Sequence, residues 1–260
     1  IMVKIYDISD KIEKSFPIAN ACSWDNVGLI IGNREKSVSK ALLALDFDID
    51  IAKEAKEVGA EIIITHHPIL FSPINKITSD TPSGKAILFL IENGIALYSA
   101  HTNLDCSPGG INDYLVSLYE FKNMKHCDIE PDKQYGLSRI SELETPMNLK
   151  DLATHIAKKL GVSYINYIGK DDALIKTAFT CSGSGASLIS ADKPADVFIT
   201  GDIKYSSARE FHDCGLNIIY AGHYDTEIHT VNIFRQVLSD LDISLICSQK
   251  GKNIVKTQEL

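Results

Sequence analysis

Short apolar runs alternate along this chain with stretches that have the periodicity of an amphipathic helix. Residues 41–46 form one apolar run, residues 51–58 have the helical pattern, and residues 61–65 form the next run. This alternation is typical of strand–helix–strand units, in which successive strands are parallel. The runs are apolar throughout, as in a sheet that is covered on both faces. The sequence therefore predicts an α/β fold.

The alternation is interrupted once. It weakens over residues 126–150, which are largely polar, and it resumes with a predicted helix over residues 149–160. We therefore expect a first α/β lobe over residues 1–125 and a second over residues 126–240. We expect the C-terminal segment, residues 241–260, to pack back on the first lobe.

The two predicted lobes also resemble each other in sequence. Residues 60–65 align with 195–200, and residues 94–101 align with 215–223. Short apolar strands resemble one another by chance, so the alignment indicates a duplicated α/β unit without proving it.

The composition argues against several classes of protein. With 34 acidic and 26 basic residues the formal charge is −8, and no block of Lys and Arg is present, which disfavours non-specific nucleic-acid binding. No apolar run approaches the roughly 18 residues that predict a membrane-spanning helix. The first residues lack the pattern of a secretory signal, and the six cysteines form no C-x-x-C pair. We therefore expect a soluble, cytoplasmic chain with reduced thiols.

Three segments that bear histidines and acids each follow the carboxyl end of a predicted strand, which is the edge where open α/β sheets bind ligands. Their histidines and acids are His66, His67, His101, Asp105, His223 and Glu227. Imidazoles and carboxylates are ligands of Zn²⁺, Mn²⁺, Fe²⁺ and Co²⁺. Four imidazoles and two carboxylates are too many for one open tetrahedral site. They suit two metals roughly 3.5–4 Å apart, bridged by a carboxylate and a water or hydroxide.

Each of these segments alone also has a structural explanation. A histidine followed four positions later by an acid most often caps or orients a neighbouring group. His66 and His67 have little packing purpose at a strand end, but adjacent extended side chains point to opposite faces. They can share one centre only where the strand end twists, or they can serve two neighbouring metals. Three such segments in equivalent positions favour a metal site. The remaining histidines, which we interpret as structural, are His126, His155, His212 and His229.

Two further segments are weaker candidates. Residues 181–186 form a glycine-rich turn, which is either a phosphate-binding loop or a plain tight turn. The turn lacks the lysine of a Walker motif, so the tight turn is the preferred interpretation. In residues 200–205, Asp202 or Tyr205 would border the site. Lys204 would face an anionic substrate or be an ordinary surface charge.

Five motifs occur in a fixed order along the chain. They are Ser-Trp-Asp-Asn-Val-Gly-Leu at 23–29, Thr-His-His-Pro-Ile-Leu-Phe at 65–71, Ser-Ala-His-Thr-Asn-Leu-Asp at 99–105, Ala-Asp-Val-Phe-Ile-Thr-Gly-Asp-Ile-Lys at 195–204 and Gly-His-Tyr-Asp-Thr-Glu at 222–227. The set resembles the NIF-three-like family, whose members are commonly labelled GTP cyclohydrolase 1 type 2 homologs. The resemblance covers about residues 8–255 and points to the short form without an inserted domain. Many relatives have a histidine where this chain has Tyr205 and Ser206.

The resemblance implies a subunit of two related α/β lobes with a dinuclear metal centre between them. It also implies a toroidal homohexamer whose metal centres face the interior, with two divalent ions per subunit, either Zn, Fe, Mn or Co. The family's ligands fall on His66, His67, Asp105, His223 and Glu227. The duplication makes His101 a sixth ligand, whereas the family pattern lets it lie beside the metals and contact water.

The function that follows is that of a metal-dependent hydrolase, in which a metal-bridging hydroxide attacks a carbon or phosphorus centre. The candidate catalytic residues are Asp25, Asp202 and His101. The substrate is an unknown small molecule or nucleotide, because the GTP label is inherited nomenclature and the acidic chain has no P-loop. The alternative is a non-catalytic protein that binds or delivers metal and whose ring assembly is an interaction scaffold. A hydrolase has an open coordination position and shows turnover, whereas the non-catalytic protein has a closed metal site and shows none.

Overall fold

The computed structural model describes residues 2–192 and 195–256. The chain divides into two compact units: unit 1 is Ile1–Leu104 with Thr230–Leu260, and unit 2 is Asp105–His229. Each unit has its own sheet and helices, so the predicted α/β class with two lobes is confirmed. Within the described residues, no helix combines the length and the apolar character needed to cross a membrane.

The helices and strands follow the predicted alternation. The helices of the described residues are α1 Ile5–Ser15, α2 Ile49–Val58, α3 Pro82–Asn93, α4 Thr102–Cys106, α5 Ile111–Leu118, α6 Leu149–Leu160, α7 Tyr205–Asp213, α8 His223–Glu227 and α9 Thr230–Val237. Their strands are β1 Gly28–Ile31, β2 Lys40–Ala44, β3 Ile62–Thr65, β4 Ala96–Ser99, β5 Phe121–Cys127, β6 Ser138–Asn148, β7 Asn166–Ile168, β8 Leu174–Thr180, β9 Val197–Thr200, β10 Ile218–Tyr220 and β11 Ser244–Cys247. The helix predicted over residues 149–160 is α6.

The sheet of unit 1 aligns the carboxyl ends of its central strands. Its order is β1-β4-β3-β2-β11, and all of these strands except β1 run parallel. Strands β2, β3 and β4 are buried almost throughout, which explains why their sequences are uninterrupted apolar runs. Thr65 lies opposite Ala44 on one side and Ser99 on the other. The residues that follow these three strands therefore begin at the same edge.

Side-chain caps fix where the helices after this edge begin. The Asp48 carboxylate accepts hydrogen bonds from the first turn of α2, and the Thr81 hydroxyl accepts one from Gly84 in α3. Such a cap stabilises a helix by about 1 kcal/mol. Because the helices start at these positions, residues 45–48 and 66–81 remain as loops at the carboxyl edge of the sheet.

The chain returns to unit 1 after unit 2. Strand β11 pairs in parallel with β2, and α9 packs against α1 and β2. In unit 2, α5 packs against β5, β6 and β8. The limits at Leu104 and Thr230 therefore differ from the predicted ones at residues 125 and 240, because α5 and α9 each pack in the unit to which the sequence did not assign them. Residues 257–260 of the predicted C-terminal segment lie outside the described residues.

The sheet of unit 2 is mixed. Its order is β5-β6-β8-β9-β10-β7, in which β8, β9 and β10 are parallel and the other pairs are antiparallel. Thr180 lies opposite Ile199, and Thr200 lies opposite Tyr220. The carboxyl ends of the three parallel strands therefore meet at one edge, as they do in unit 1.

The polar stretch at residues 126–150 belongs to this sheet. It contains the end of β5 and all of β6, whereas the sequence predicted a boundary between lobes there. Four consecutive residues of β5, 122–125, are exposed, so the strand has no apolar run to reveal it. Cross-strand pairing with β6 stabilises it instead.

Arg139 of β6 is fully buried and connects several parts of unit 2. Its Nε donates to Asp113 Oδ1 at 2.5 Å, and its terminal nitrogens donate to main-chain carbonyls. These carbonyls belong to Asp105, Cys106, Ser107, Gly136 and Ser138. Two of them end α4, whose last carbonyls have no partner within the helix. The guanidinium therefore caps α4 and pairs with a carboxylate of α5.

Replacing Arg139 is expected to destabilise the protein strongly. Arg139→Ala removes the buried guanidinium from Asp113 Oδ1 and from the α4 carbonyls, and the loss of one partner of a buried ion pair costs about 3–5 kcal/mol. Arg209→Ala is the matched control, because the pair that Arg209 forms with Asp213 is exposed and contributes less than about 1 kcal/mol. Urea unfolding followed by circular dichroism measures both. Equal midpoints for the two variants would contradict this role.

Candidate metal centre

Three histidines of unit 1 come together at the carboxyl edge of its sheet. His66 and His67 follow β3, and His101 follows the parallel neighbour β4. One ring nitrogen of each lies within 4.8 Å of those of the other two. The ring centroids are 5.0–5.5 Å apart. We call these residues the histidine triad.

A turn directly after β3 lets the consecutive histidines face one centre. The backbone N–H groups of His66 and His67 both donate to the carbonyl of Leu45, each at 3.1 Å. The alternation of a strand therefore ends at Thr65, and the two rings no longer have to point to opposite faces. This is the twist of the strand end that a shared site requires.

Fixed acceptors hold the Nδ1 atoms of the first two histidines. His66 Nδ1 lies 2.9 Å from the carbonyl oxygen of Ala100, which can only accept. His67 Nδ1 lies 2.6 Å from Asp46 Oδ1. Both rings therefore carry a proton on Nδ1 and present the basic Nε2. The sequence analysis missed Asp46, although it lies two residues after β2 and so carries the same strand-end signal as the histidines.

Asp25 performs the same task for His101. Its carboxylate lies 3.0 Å from His101 Nδ1 and accepts hydrogen bonds from the backbone and hydroxyl of Thr102. Burial raises the pKa of Asp25, but the hydrogen bonds from His101 and Thr102 outweigh it and lower the pKa to about 2. The carboxylate is therefore ionised at neutral pH and fixes the orientation of the imidazole.

Unit 2 presents an imidazole and a carboxylate from one helical turn. His223 and Glu227 begin and end α8, and His223 Nε2 lies 2.9 Å from Glu227 Oε2. His223 Nδ1 lies 2.8 Å from Asp202 Oδ2, in the loop after β9. The hydrogen bond with Glu227 raises the pKa of His223 to about 9, against the effect of burial and with a contribution from Asp202. His223 and Glu227 therefore share a proton at neutral pH.

Gly183 leaves the space that this pair occupies. A Cβ at this position would overlap Glu227 Oε1 and lie 3.1 Å from His223 Nε2. The residue also has φ of +57°, which favours glycine. Its carbonyl accepts from the backbone N–H groups of Gly201 and Asp202, each at 2.9 Å. Gly183 thus keeps the loops beside His223 and Glu227 close together, a requirement that the sequence analysis did not recognise.

Three backbone N–H groups of the glycine-rich turn are already bonded inside the protein. Backbone N–H groups of Ser182, Gly183 and Gly185 donate to side-chain oxygens of unit 2. The acceptors are Asn112, Thr226 and Thr200 respectively. Donors that are already bonded inside the protein cannot cradle an anion, so the tight-turn interpretation fits the geometry.

Asp105, the acid of the second histidine-bearing segment, lies in α4. It is buried, and its main-chain carbonyl is held by Arg139 at 3.1 Å. Burial raises the pKa of the Cys181 thiol, and the carboxylates of Asp105 and then Glu227 raise it further.

The other candidates have ordinary surroundings. Tyr205 is 84% exposed, and Lys204 is an exposed residue at the start of α7. The four histidines interpreted as structural contact neighbouring groups within unit 2. These contacts join His126 to Tyr135, His155 to the carbonyl of Tyr119, His212 to Asp213 and His229 to Tyr114.

Known proteins match nearly the whole chain. The family model Duf34/NIF3 (NGG1p interacting factor 3) matches residues 3–253. A curated relative from Clostridium perfringens, named GTP cyclohydrolase 1 type 2 homolog, is 39% identical over 257 residues, covering 96% of this chain and 98% of the relative. A relative of the same name from Methanocaldococcus jannaschii is 34% identical, covering 94% of this chain and 98% of the relative.

Solved structures with this fold include the Staphylococcus aureus hypothetical protein SA1388, with a TM-score of 0.88 and 26% identity, covering 99% of this chain and 100% of that one. Reduced HcgD from Methanocaldococcus jannaschii has a TM-score of 0.80 and 30% identity. The match covers 95% of this chain and 98% of HcgD. The motif order that resembles the NIF-three-like family is thus matched by a family model, by curated relatives and by solved structures. The chain belongs to the NIF3 family.

Proposed function

We propose that this chain is a hydrolase that depends on two divalent metal ions. The proposed ligands are His66, His67, His101, Asp105, His223 and Glu227. The observation that carries the proposal is that Nδ1 of each of the four histidines has a fixed acceptor. Three of these acceptors are carboxylates and one is a main-chain carbonyl. Metal-binding histidines almost always have such a partner, because it fixes the tautomer and the direction of the other nitrogen.

The donor set fits a metal of intermediate softness. Imidazole and carboxylate groups suit Zn²⁺, Mn²⁺, Fe²⁺ or Co²⁺. At Gly183, the absence of a side chain leaves room for the Glu227 carboxylate and His223 Nε2 to lie together. The pair that shares a proton at 2.9 Å would bind a cation in place of that proton.

A catalytic role is favoured over storage by the number of donors in the histidine triad. Three protein ligands are the usual set of a catalytic site, in which a fourth position stays open, whereas structural sites have four. When bound, divalent metals act as Lewis acids that polarise a substrate oxygen and acidify water. The histidine triad supplies three imidazoles and no carboxylate, and three protein ligands are the number found at catalytic sites.

The candidate proton carriers differ in their access to water. The Asp25 side chain is fully buried on His101 and Thr102, so we assign it the orientation of His101. The Asp202 side chain is more than half exposed and contacts His223 Nδ1. Asp202 is therefore the better candidate to pass a proton to solvent.

The substrate class is a small molecule or a nucleotide. The curated relatives carry the name GTP cyclohydrolase 1 type 2 homolog, which supports a nucleotide. The bonded N–H groups of the glycine-rich turn argue against triphosphate recognition there. The homohexameric ring stays a prediction of the resemblance.

Loss of a proposed ligand is expected to abolish metal binding and turnover together. The wild type, purified without chelator, should contain two metal ions per chain and hydrolyse a member of a panel of nucleotides, phosphodiesters and cyclic amides. His223→Ala and Glu227→Gln should lower metal content and lower metal-dependent turnover by more than about 100-fold. His212→Ala, an exposed histidine of α7, should match the wild type.

The outcomes separate the two functions. Two bound metals without turnover on any compound class would contradict a hydrolase and favour the metal-binding or metal-delivery alternative. Less than one metal per chain in the wild type would contradict the metal site. Elemental analysis by mass spectrometry gives the metal content, and thermal melts exclude unfolding of the variants.

Asp46 is expected to strengthen metal binding without contacting the metal. Asp46→Ala removes the acceptor of His67 Nδ1, which should lower metal affinity by about 10- to 100-fold. Asp50→Ala is the control, because this neighbouring carboxylate is exposed and contacts Lys53 at 3.5 Å. Competition with a chromophoric chelator measures both affinities. Equal affinities would show that the tautomer of His67 does not depend on Asp46.

Gly183→Ala is expected to disrupt the His223–Glu227 pair. The added Cβ would displace the Glu227 carboxylate, so metal affinity should fall by about tenfold or more. Gly215→Ala separates this overlap from backbone strain, because Gly215 has φ of +72° and no atom within 4 Å of an added Cβ. Chelator competition and urea unfolding should show similar destabilisation in both variants and weakened metal binding only in Gly183→Ala.

A further inference from the structure

Two large aromatic side chains remain exposed beside the histidine triad. Trp24 is 53% exposed and Phe71 is 49% exposed. Their ring centroids are 5.6 Å apart with an interplanar angle of 56°. We call Trp24 and Phe71 the aromatic platform. Each ring also lies edge-on to His101, with centroid distances of 6.3 and 6.1 Å. The aromatic platform therefore borders the triad at His101.

Hydrogen bonds fix the two loops that carry the aromatic platform. Asn26 Nδ2 donates to the carbonyl of Leu70 at 2.7 Å, which ties the residues next to Trp24 to those next to Phe71. Asp25 is bonded to His101 and Thr102. The rings are thus held in place although water surrounds about half of each. Exposed aromatic rings that the backbone holds next to a polar site are typical of ligand contacts.

The geometry suits a flat ring more than a chain of atoms. Aromatic rings prefer offset stacking or edge-to-face contact at centroid separations of about 4.5–7 Å. Two rings tilted at 56° can give a third ring one face to stack on and one edge to meet. A ring held there would have its substituents next to His101, and through it next to His66 and His67.

We propose that the aromatic platform binds a planar aromatic ring of the substrate and directs its reacting group toward the histidine triad. The part of this proposal that concerns a reacting group rests on the proposed hydrolase function. The binding of an aromatic ring by the platform does not depend on that function. It names the substrate class as compounds that contain an aromatic ring, of which a nucleobase is one. A second copy of this chain is the other possible occupant of the exposed rings.

Trp24 is the only tryptophan in the sequence, so its fluorescence reports on the aromatic platform directly. Guanosine and adenosine monophosphate are the probes, and ribose 5-phosphate is the control that lacks a base. Titrations are made with chelated protein and with zinc-loaded protein, and N-acetyltryptophanamide corrects for absorption by the bases. We expect saturable quenching by both nucleotides and none by ribose 5-phosphate.

Phe71→Leu keeps the reporter and removes one ring. This variant should weaken nucleotide binding by about 5- to 100-fold, the range found when an aromatic stacking partner is removed. Its metal content should equal that of the wild type, because Phe71 supplies no ligand. Tyr164→Leu is the matched control, since Tyr164 is 43% exposed in unit 2 and should bind nucleotides as the wild type does.

Several results would overturn the proposal. They are the absence of saturable quenching in both metal states, equal affinity in Phe71→Leu and the wild type, and a smaller native mass of Phe71→Leu in light scattering. The last result would assign the rings to contact between copies of the chain. Nucleotide binding by a protein that turns over no compound class of the panel would refute the hydrolase and support the aromatic platform. Turnover with an unchanged KM in Phe71→Leu would refute the platform and support the hydrolase.

Discussion

The alignment of parallel strand ends is the constraint on which the rest of the structure depends. Thr65 pairs with both Ala44 and Ser99, so three loops leave the sheet of unit 1 at the same edge. The histidine triad and Asp46 lie in these loops, and Asp25, which orients His101, lies in the loop before β1. In unit 2, the same alignment of β8, β9 and β10 brings Gly183, Asp202 and His223 together. In both units, polar side chains therefore gather in the loops at the carboxyl edge of a sheet whose strands are apolar.

Several strands, one helix and the loops that bear the histidines could be predicted from the sequence, because the patterns that indicate them are local. Strands that are buried on both faces have uninterrupted apolar runs, so β2 and β3 and the loops after them were evident from the sequence. Helix α6 was predicted with its bounds because its periodicity is clear and Gly161 ends it. The motif order then assigned the family.

The parts that escaped prediction depend on contacts distant in sequence. Four exposed residues in β5 hide that strand, and only pairing with β6 reveals it. The role of Asp46 depends on the turn at Leu45 that brings His67 within 2.6 Å. Gly183 is required because Glu227, which is 44 positions later, occupies the space beside it. Neither spacing nor composition encodes such distances.

The return of β11 to the sheet of unit 1 sets an order on folding during synthesis. Unit 2 is continuous in sequence, so its sheet can form as soon as residues 105–229 have left the ribosome. Strand β2 must wait for residues 244–247, and until then its outer edge lacks a partner. An open apolar edge is prone to pair with other chains. The edge of β2 therefore stays open to aggregation until residues 244–247 close the sheet, even after the second sheet has formed.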